Sequence, residues 1–221
     1  MPRLRASGAV RLRAAALALT TIGLAAALAA CGGTQEQQRK LHGFERTPTL
    51  RVGHLTLPDV APEGAGQPMA FRASRSGLLL VFFGYTSCPD VCPTTLADIS
   101  RALERIPASQ RERVRVAMVT VDPRRDTRKV LNGYLSHFFS TWHALRADRA
   151  VLRPVEKAFA ATSTLGPRDP STGRYDVSHT AQVYVVDDRG TVRVEWMFGT
   201  KPADMAADLT TLLGEQPASS A

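Results

Sequence analysis

The feature that most constrains the fold of this chain is an apolar run over residues 78–83, followed at once by a turn that carries two cysteines. A continuous apolar run of this length is typical of a strand covered on both faces, as in a parallel sheet. Pro89 and Pro93 suit a strand-to-helix turn and the first turn of a helix, but not a helix interior. The sequence therefore predicts a buried strand over 78–84 and a helix over 93–106. The predicted inner stripe of that helix consists of Leu96, Ile99, Ala102, Leu103 and Ile106.

The two cysteines, Cys88 and Cys92, lie four residues apart at the start of the predicted helix. The free N–H groups and the positive dipole end of a helix N-terminus favour thiolate, which is the form that binds metals and attacks disulfides. The spacing allows either a disulfide or two ligands on one soft metal ion. The alternative is a disulfide that only staples the loop, or two buried apolar cysteines. The proline-rich surroundings at the end of a strand favour two sulfurs near the surface, and hence a chemical role.

Residues 1–30 are typical of a targeting segment rather than of part of the fold. Four arginines precede an apolar stretch over 14–30, which ends in the sequence LAAC at Cys31. Small residues directly before a cysteine resemble the bacterial lipobox, in which the cysteine becomes the lipid-modified first residue of the mature protein. An uncleaved transmembrane anchor is the alternative, because the apolar span is nearly long enough to cross a bilayer. Both interpretations predict a domain outside the cytoplasm, at the surface of a bacterial membrane.

The cysteine count fits this location. Of three cysteines, one would carry the lipid and two would form the pair at the helix start. An exported pair meets an oxidising environment, so it requires a reductant upstream if it works as thiols. The sequence therefore predicts a thiol reductant as one partner of this chain.

The charge balance argues against nucleic-acid binding. The net charge is +8, and subtracting the four arginines of the targeting segment leaves +4 for the mature chain. The other basic residues are scattered among acids, without a basic run interleaved with aromatics. No nucleic-acid partner is expected.

The rest of the chain alternates strands and helices between a polar tether, 31–48, and a disordered tail, 215–221. The domain, 49–214, is predicted to contain strands at 50–57, 69–72, 78–84 and 114–121, helices at 93–106, 126–139 (capped by Asp126 and Thr127) and 149–162, an extended piece at 142–145, a loop or hairpin at 165–176, strands at 181–186 and 191–198, and a helix at 202–213. Alternation alone indicates an α/β layered fold. The cysteines at the end of the first core strand and the terminal β-hairpin make it thioredoxin-like, with a central mixed sheet and flanking helices.

Three segments of the chain closely resemble the Sco/SenC family of membrane-anchored copper proteins, which help to assemble the copper centre of cytochrome c oxidase. They are GYTSCPDVCP at 84–93, VDPRRDT at 121–127 and SHT at 178–180. The resemblance covers roughly residues 50–213. It implies that Cys88, Cys92 and His179 bind copper, as Cu(I) or Cu(II). It also implies delivery to the copper-bearing subunit of the oxidase or to another exported cuproprotein.

The residue chemistry agrees with that assignment, because two thiolates suit Cu(I) and an added imidazole also tolerates Cu(II). One departure from the family pattern is Ser178, where members often carry Asp before the histidine. A supporting carboxylate is therefore expected to be absent there. Asp90, between the cysteines, could tune the thiols or contact a partner, or it could only provide a negative charge that stabilises the helix start. Asp122 and Asp126 are interpreted as a loop turn and a helix cap rather than as site residues.

The main alternative function is a thiol-disulfide oxidoreductase that keeps the cysteines of a cuproprotein reduced. The same fold and the same thiols suit that chemistry, but the spacing is CxxxC rather than CxxC. Thioredoxins also place a proline before the hairpin strand, where this chain has Ser178-His179-Thr180. A thiol peroxidase is a third candidate, but it would not require His179. The prediction is a metallochaperone, which implies no substrate turnover.

Overall fold

The computed structural model describes residues 40–215. The helices are α1 (Val91–Arg105), α2 (Ala108–Arg111), α3 (Arg128–Leu135), α4 (Arg149–Ala158) and α5 (Pro202–Glu215). The strands are β1 (Thr56–Pro58), β2 (Pro68–Ala70), β3 (Leu78–Gly84), β4 (Val114–Thr120), β5 (His143–Leu145), β6 (Ser163–Leu165), β7 (Val177–His179), β8 (Val183–Val186) and β9 (Val192–Trp196). The predicted targeting segment, Cys31 and the predicted tail beyond Glu215 lie outside the described residues. Within residues 40–215, none of the helices has the length and apolar character needed to cross a bilayer.

A five-stranded mixed sheet in the order β5-β4-β3-β8-β9 forms the centre of the domain. β3 and β5 run parallel to β4, whereas β8 is antiparallel to both β3 and β9. The carboxyl ends of β3, β4, β5 and β9 therefore share one edge of the sheet with the amino end of β8. The predicted α/β, thioredoxin-like fold with a terminal hairpin is confirmed, and this edge carries the loops that follow the core strands.

β3 is the centre of the core, since all seven of its residues are buried. Its aliphatic and aromatic side chains alternate onto the two faces of the sheet, and both faces are covered. On one side, Phe83 packs edge-on against Phe159, which follows α4, with ring centroids 5.3 Å apart. The predicted inner stripe of α1 is also confirmed, because Leu96 and Ile99 are fully buried.

The folded domain begins earlier in the chain than residue 49. The buried carboxylate of Asp208 in α5 accepts hydrogen bonds from the backbone N–H groups of His42 (2.7 Å) and Gly43 (3.0 Å). Arg46 donates two hydrogen bonds to Glu195 in β9, at 2.6 and 2.9 Å. The tether prediction is therefore wrong for residues 41–46. The polar run at 34–40 predicts a tether, whereas the contacts of residues 41–46 are made with partners that lie far away in sequence.

Several element ends differ from the predictions. The strand predicted at 50–57 is reduced to Thr56–Pro58, and the helix predicted at 149–162 ends at Ala158 because Ala160 adopts a left-handed conformation (φ 51°). α1 begins at Val91, two residues before the predicted start, and α2 was not predicted. The predicted loop or hairpin at 165–176 is a hairpin, whose strands β6 and β7 pair antiparallel in a small separate sheet.

Candidate metal centre

Cys88, Cys92 and His179 meet at the edge of the sheet where β3 ends. Cys88 lies in the turn after β3, and Cys92 lies in the first turn of α1. The Cys92 N–H donates to the Cys88 sulfur at 3.3 Å, and the Cys92 sulfur lies 3.5 Å from Nε2 of His179. The three ligand atoms all lie within 4.8 Å of one another, and both thiols are free. The structure thus brings together the three residues that the sequence singled out.

His179 presents Nε2 to the sulfurs because its other ring nitrogen is already engaged. It is the last residue of β7, and its Nδ1 lies 2.9 Å from the carbonyl oxygen of Thr180. A carbonyl oxygen only accepts, so Nδ1 carries the proton and Nε2 keeps its lone pair. Burial lowers the pKa of His179 below its ordinary value, although the Thr180 carbonyl acts in the opposite direction. The imidazole is therefore neutral near pH 7, which is the form that binds metals.

The two cysteines differ in environment, contrary to the expectation that both sulfurs lie near the surface. Cys92 is fully buried, whereas Cys88 is partly exposed. Burial raises the pKa of Cys92 well above its ordinary value. The loss of hydration thus outweighs the helix N-terminus, which by itself would favour thiolate. Deprotonation of Cys92 therefore requires a compensating positive charge, such as a bound metal ion.

This difference predicts unequal reactivity in the reduced protein. With limiting iodoacetamide at neutral pH, we expect Cys88 to be alkylated about 10-fold or more faster than Cys92, because alkylation needs an accessible thiolate. Peptide mass mapping over time would measure both rates. The difference should vanish in denaturant, and equal rates in the native protein would contradict the described burial.

Gly84, the last residue of β3, makes room for the buried sulfur. A Cβ atom at this position would lie 3.1 Å from the Cys92 sulfur and 2.6 Å from the Phe82 ring. Both separations are shorter than ordinary van der Waals contact. The absence of a side chain at Gly84 therefore lets α1 approach the end of β3 closely enough to place Cys92 at the site.

Comparison with known proteins identifies the family. The sequence profile described as SCO1/SenC matches residues 62–214. The chain belongs to the SCO1/SenC family. The solution structure of apo Sco1 from Thermus thermophilus is similar, with a TM-score of 0.67 and 30% identity over 80% of this chain and 99% of that chain.

A second Sco structure, that of ScoI from Bradyrhizobium japonicum, was solved with copper bound. It has a TM-score of 0.61 and 31% identity, and the match covers 72% of this chain and 96% of that chain. A Stutzerimonas stutzeri protein, provisionally named a copper-binding protein, is 33% identical over 127 residues, which are 58% of this chain and 61% of that protein. The chain spans about three fifths of the length of the curated relatives that it matches.

In this Sco protein, Ser178 faces away from the site. It lies between two half-buried residues of β7 and is itself exposed, as expected from the alternation of side chains along a strand. The carbonyl of Thr180 already accepts the Nδ1 proton of His179. As predicted, no carboxylate stands at position 178, and a backbone carbonyl supplies the acceptor for the histidine instead.

The VDPRRDT segment, in contrast, contributes more to the site than the sequence analysis predicted. Asp126 does not cap α3. Thr127 does so, by accepting a hydrogen bond from the Val130 N–H. The Asp126 carboxylate is instead fully buried beside residues 85–90, called here the cysteine loop. It accepts hydrogen bonds from Thr86 in that loop and from Thr120 at the end of β4. Burial raises its pKa, and the hydrogen bonds from these threonines oppose that shift.

The sequence did not indicate the roles of two tyrosines, Tyr85 beside His179 and Tyr175 beside Asp122. Tyr85 packs edge-on against the His179 ring, with centroids 5.6 Å apart, and Arg125 lies over the Tyr85 ring at 5.7 Å. Tyr175 donates a hydrogen bond to Asp122 at 2.6 Å. Nothing in the local sequence around Tyr175 indicates this contact, because it joins residues 53 positions apart.

The donor set of two sulfurs and one nitrogen determines the chemistry available here. Soft thiolates select Cu(I) and other soft ions, and the imidazole extends the set to Cu(II). The same sulfurs are close enough to form a disulfide after a small rearrangement. His143 takes no part, because its Nδ1 lies 2.7 Å from the buried Asp59 carboxylate.

Proposed function

We propose that this Sco protein binds one copper ion through the sulfurs of Cys88 and Cys92 and Nε2 of His179, and that it delivers the ion to the copper centre of cytochrome c oxidase. The observation that carries the proposal is the convergence of these three atoms within 4.8 Å. Two thiolates and one neutral imidazole form a coordination set that suits copper. The partly exposed Cys88 gives a recipient direct access to one ligand.

The relatives support both the metal and the destination. Copper is bound in ScoI of Bradyrhizobium japonicum, which shares 31% identity with this chain. The Sco family is described as one of cytochrome c oxidase assembly proteins. The recipient that we infer is the copper-bearing subunit of the oxidase or another exported cuproprotein.

We also propose that the protein works at the outer face of a bacterial membrane, anchored by a lipid on Cys31. The LAAC sequence that ends at Cys31 supports this location. Radiolabelled palmitate should be incorporated into the wild-type chain and not into Cys31→Ser. Equal labelling of both would overturn the anchor.

Thiol-disulfide exchange is the second candidate function, favoured by the unequal burial of the two cysteines. In this function, Cys88 as its thiolate would attack a disulfide of the cuproprotein, which forms a mixed disulfide and releases one thiol of the partner. Cys92 would then lose its proton and attack the Cys88 sulfur, which releases the second thiol of the partner and leaves a Cys88–Cys92 disulfide. The predicted upstream reductant would return this disulfide to the dithiol that binds copper.

Copper stoichiometry tests the proposed function. All variants would carry Cys31→Ser, so that Cys88 and Cys92 are the remaining thiols. The reduced protein should retain one copper ion per chain after anaerobic desalting, and Cys88→Ser or Cys92→Ser should retain little. Absence of bound copper in the reduced protein, together with rapid exchange with a test disulfide, would overturn the chaperone proposal and favour the oxidoreductase.

A further inference from the structure

We propose that the turn at residues 122–126, called here the 122–126 turn, sets the distance between the cysteine pair and His179. Asp126 holds the cysteine loop, and Asp122 together with Arg125 holds the β6–β7 hairpin that carries the histidine. The inference rests on the proposed function, because it concerns the geometry of the copper ligands. It assigns these residues a positioning role rather than a ligand role.

Two sets of contacts, called here clamps, hold the 122–126 turn to its neighbours. The first clamp joins the turn to the cysteine loop. The Asp126 carboxylate accepts hydrogen bonds from the Thr86 hydroxyl (2.6 Å) and the Thr86 backbone N–H (3.1 Å). It also accepts one from the hydroxyl of Thr120, at the end of β4, at 2.6 Å. Thr86 lies two residues before Cys88. A fully buried carboxylate bound by three donors has little freedom to move, so it fixes the path of the loop into the site.

The second clamp joins the same turn to the β6–β7 hairpin that carries His179, called here the histidine hairpin. Asp122 is fully buried, forms an ion pair with Arg125 and accepts a hydrogen bond from the Tyr175 hydroxyl at 2.6 Å. The Arg125 guanidinium lies 4.1 Å from the centroid of the Tyr175 ring. Tyr175 lies two residues before β7, the strand that ends at His179. The phenol therefore attaches the hairpin to the turn at a point close to the ligand.

The turn itself is held in place, so the two clamps share one rigid support. The Asp126 N–H donates to the Asp122 carbonyl at 3.0 Å. Arg146, which follows β5, donates to the carbonyl oxygens of Asp126 (3.0 Å) and Pro123 (2.8 Å). Cysteine and histidine ligands come from loops that are more than 80 residues apart in sequence. The turn connects both loops, so the ligand spacing is set before any metal binds.

Two substitutions test the two clamps separately. Tyr175→Phe removes the hydroxyl that holds the hairpin but keeps the ring. Asp126→Asn keeps the shape of the side chain but replaces one acceptor oxygen with a donor, so the hydroxyl of either Thr86 or Thr120 loses its acceptor. If Asp126→Asn does not fold, Thr86→Val removes one of these hydrogen bonds at lower cost.

Each substitution has a matched control elsewhere in the domain. Asp208→Asn alters another buried carboxylate with three donors, namely the N–H groups of His42, Gly43 and Trp196. Tyr184→Phe removes the hydroxyl of a second tyrosine, which is fully buried and whose ring packs on Phe159 instead of on the turn. Asp208→Asn should lower the unfolding temperature, and neither control should change the copper site.

Copper titration on the full chain is the first readout. Tyr175→Phe should weaken Cu(II) binding about 10-fold and shift the thiolate-to-Cu(II) absorption band, as loss of a positioning residue typically does. Its Cu(I) affinity should stay close to that of the wild type, because both cysteines are untouched. Asp126→Asn should weaken both. Losses no larger than those of the two controls, with unchanged spectra, would overturn the proposal.

Hydrogen exchange in the copper-free protein is the second readout, and it separates this proposal from the proposed function. The Thr86 amide should exchange faster in Asp126→Asn, and the amides of β7 should exchange faster in Tyr175→Phe. Unchanged exchange at both places would refute the clamps even if copper binds. Failure of the wild type to bind copper would instead refute the proposed function, whatever the exchange rates are.

Discussion

Replacement of His179 with alanine should weaken Cu(II) binding by more than about 100-fold. Loss of a residue that only supports a metal ligand weakens affinity by up to about 100-fold, and loss of a ligand itself should cost more. The substitution removes the nitrogen donor, and the two thiolates that remain suit Cu(I) better than Cu(II). Cu(I) retention should therefore fall much less. Competition with a chelator of known affinity, separately for each oxidation state, would measure both effects.

The Cys88–Cys92 disulfide should still form in His179→Ala, since the sulfurs belong to the loop after β3 and to α1 rather than to the histidine hairpin. Titration of free thiols after mild oxidation would detect it. His143→Ala is the matched control, because His143 pairs with Asp59 at 2.7 Å, away from the site. Similar loss of Cu(II) in both variants, or failure of the disulfide to form in His179→Ala, would mean that the histidine is misplaced.

Replacement of Phe159 with alanine should lower the free energy of unfolding by about 3–5 kcal/mol, the usual cost of deleting a buried aromatic ring. The Phe159 ring lies 5.0 Å from that of Phe71, 5.3 Å from that of Phe83 and 5.0 Å from that of Tyr184, centroid to centroid. It thus joins the end of α4 to β3 and β8. Its loss leaves a cavity that three ring neighbours border and that cannot fully collapse.

Urea denaturation followed by circular dichroism would measure this effect. Phe198→Ala is the control, because Phe198 is 48% exposed. It should change the free energy of unfolding by no more than about 0.5 kcal/mol. A loss below about 1 kcal/mol in Phe159→Ala would mean that the rings pack more loosely than their separations indicate. In the absence of denaturant, copper stoichiometry should remain that of the wild type.

The centre of the fold could be predicted from local patterns. A run of six apolar residues bounded by turn residues is typical of a buried strand, and Pro89 and Pro93 suit a turn into a helix. The strand at 78–84 therefore matches the prediction residue for residue. Element ends were less predictable. α3 starts at Arg128 and not at Asp126, because the Asp126 side chain binds Thr86 and Thr120 instead of capping the helix.

The segment before residue 49 shows why a nearby polar run is a weak guide to which residues pack. The run at 34–40 predicts a tether that continues to residue 48, yet Arg46 pairs with Glu195 and the backbone of Gly43 approaches Trp196 closely. Gly43 also has no room for a side chain, since a Cβ would lie 2.7 Å from the Trp196 ring. Both contacts join residues about 150 positions apart, and no local pattern reports such a separation.

The sequence by itself was enough to single out Cys88, Cys92 and His179, through the family resemblance, and to locate the strand that precedes the two cysteines. The spacing of the cysteines, the apolar run and the residues around His179 are properties of short segments. They can therefore be recognised without knowledge of the fold. Only the tertiary structure decided that Cys92 is buried and Cys88 is not, that His179 presents Nε2, and that the 122–126 turn touches both ligand loops. These features depend on hydration and on hydrogen bonds between segments far apart in sequence, which exist only after the sheet has brought its loops to one edge.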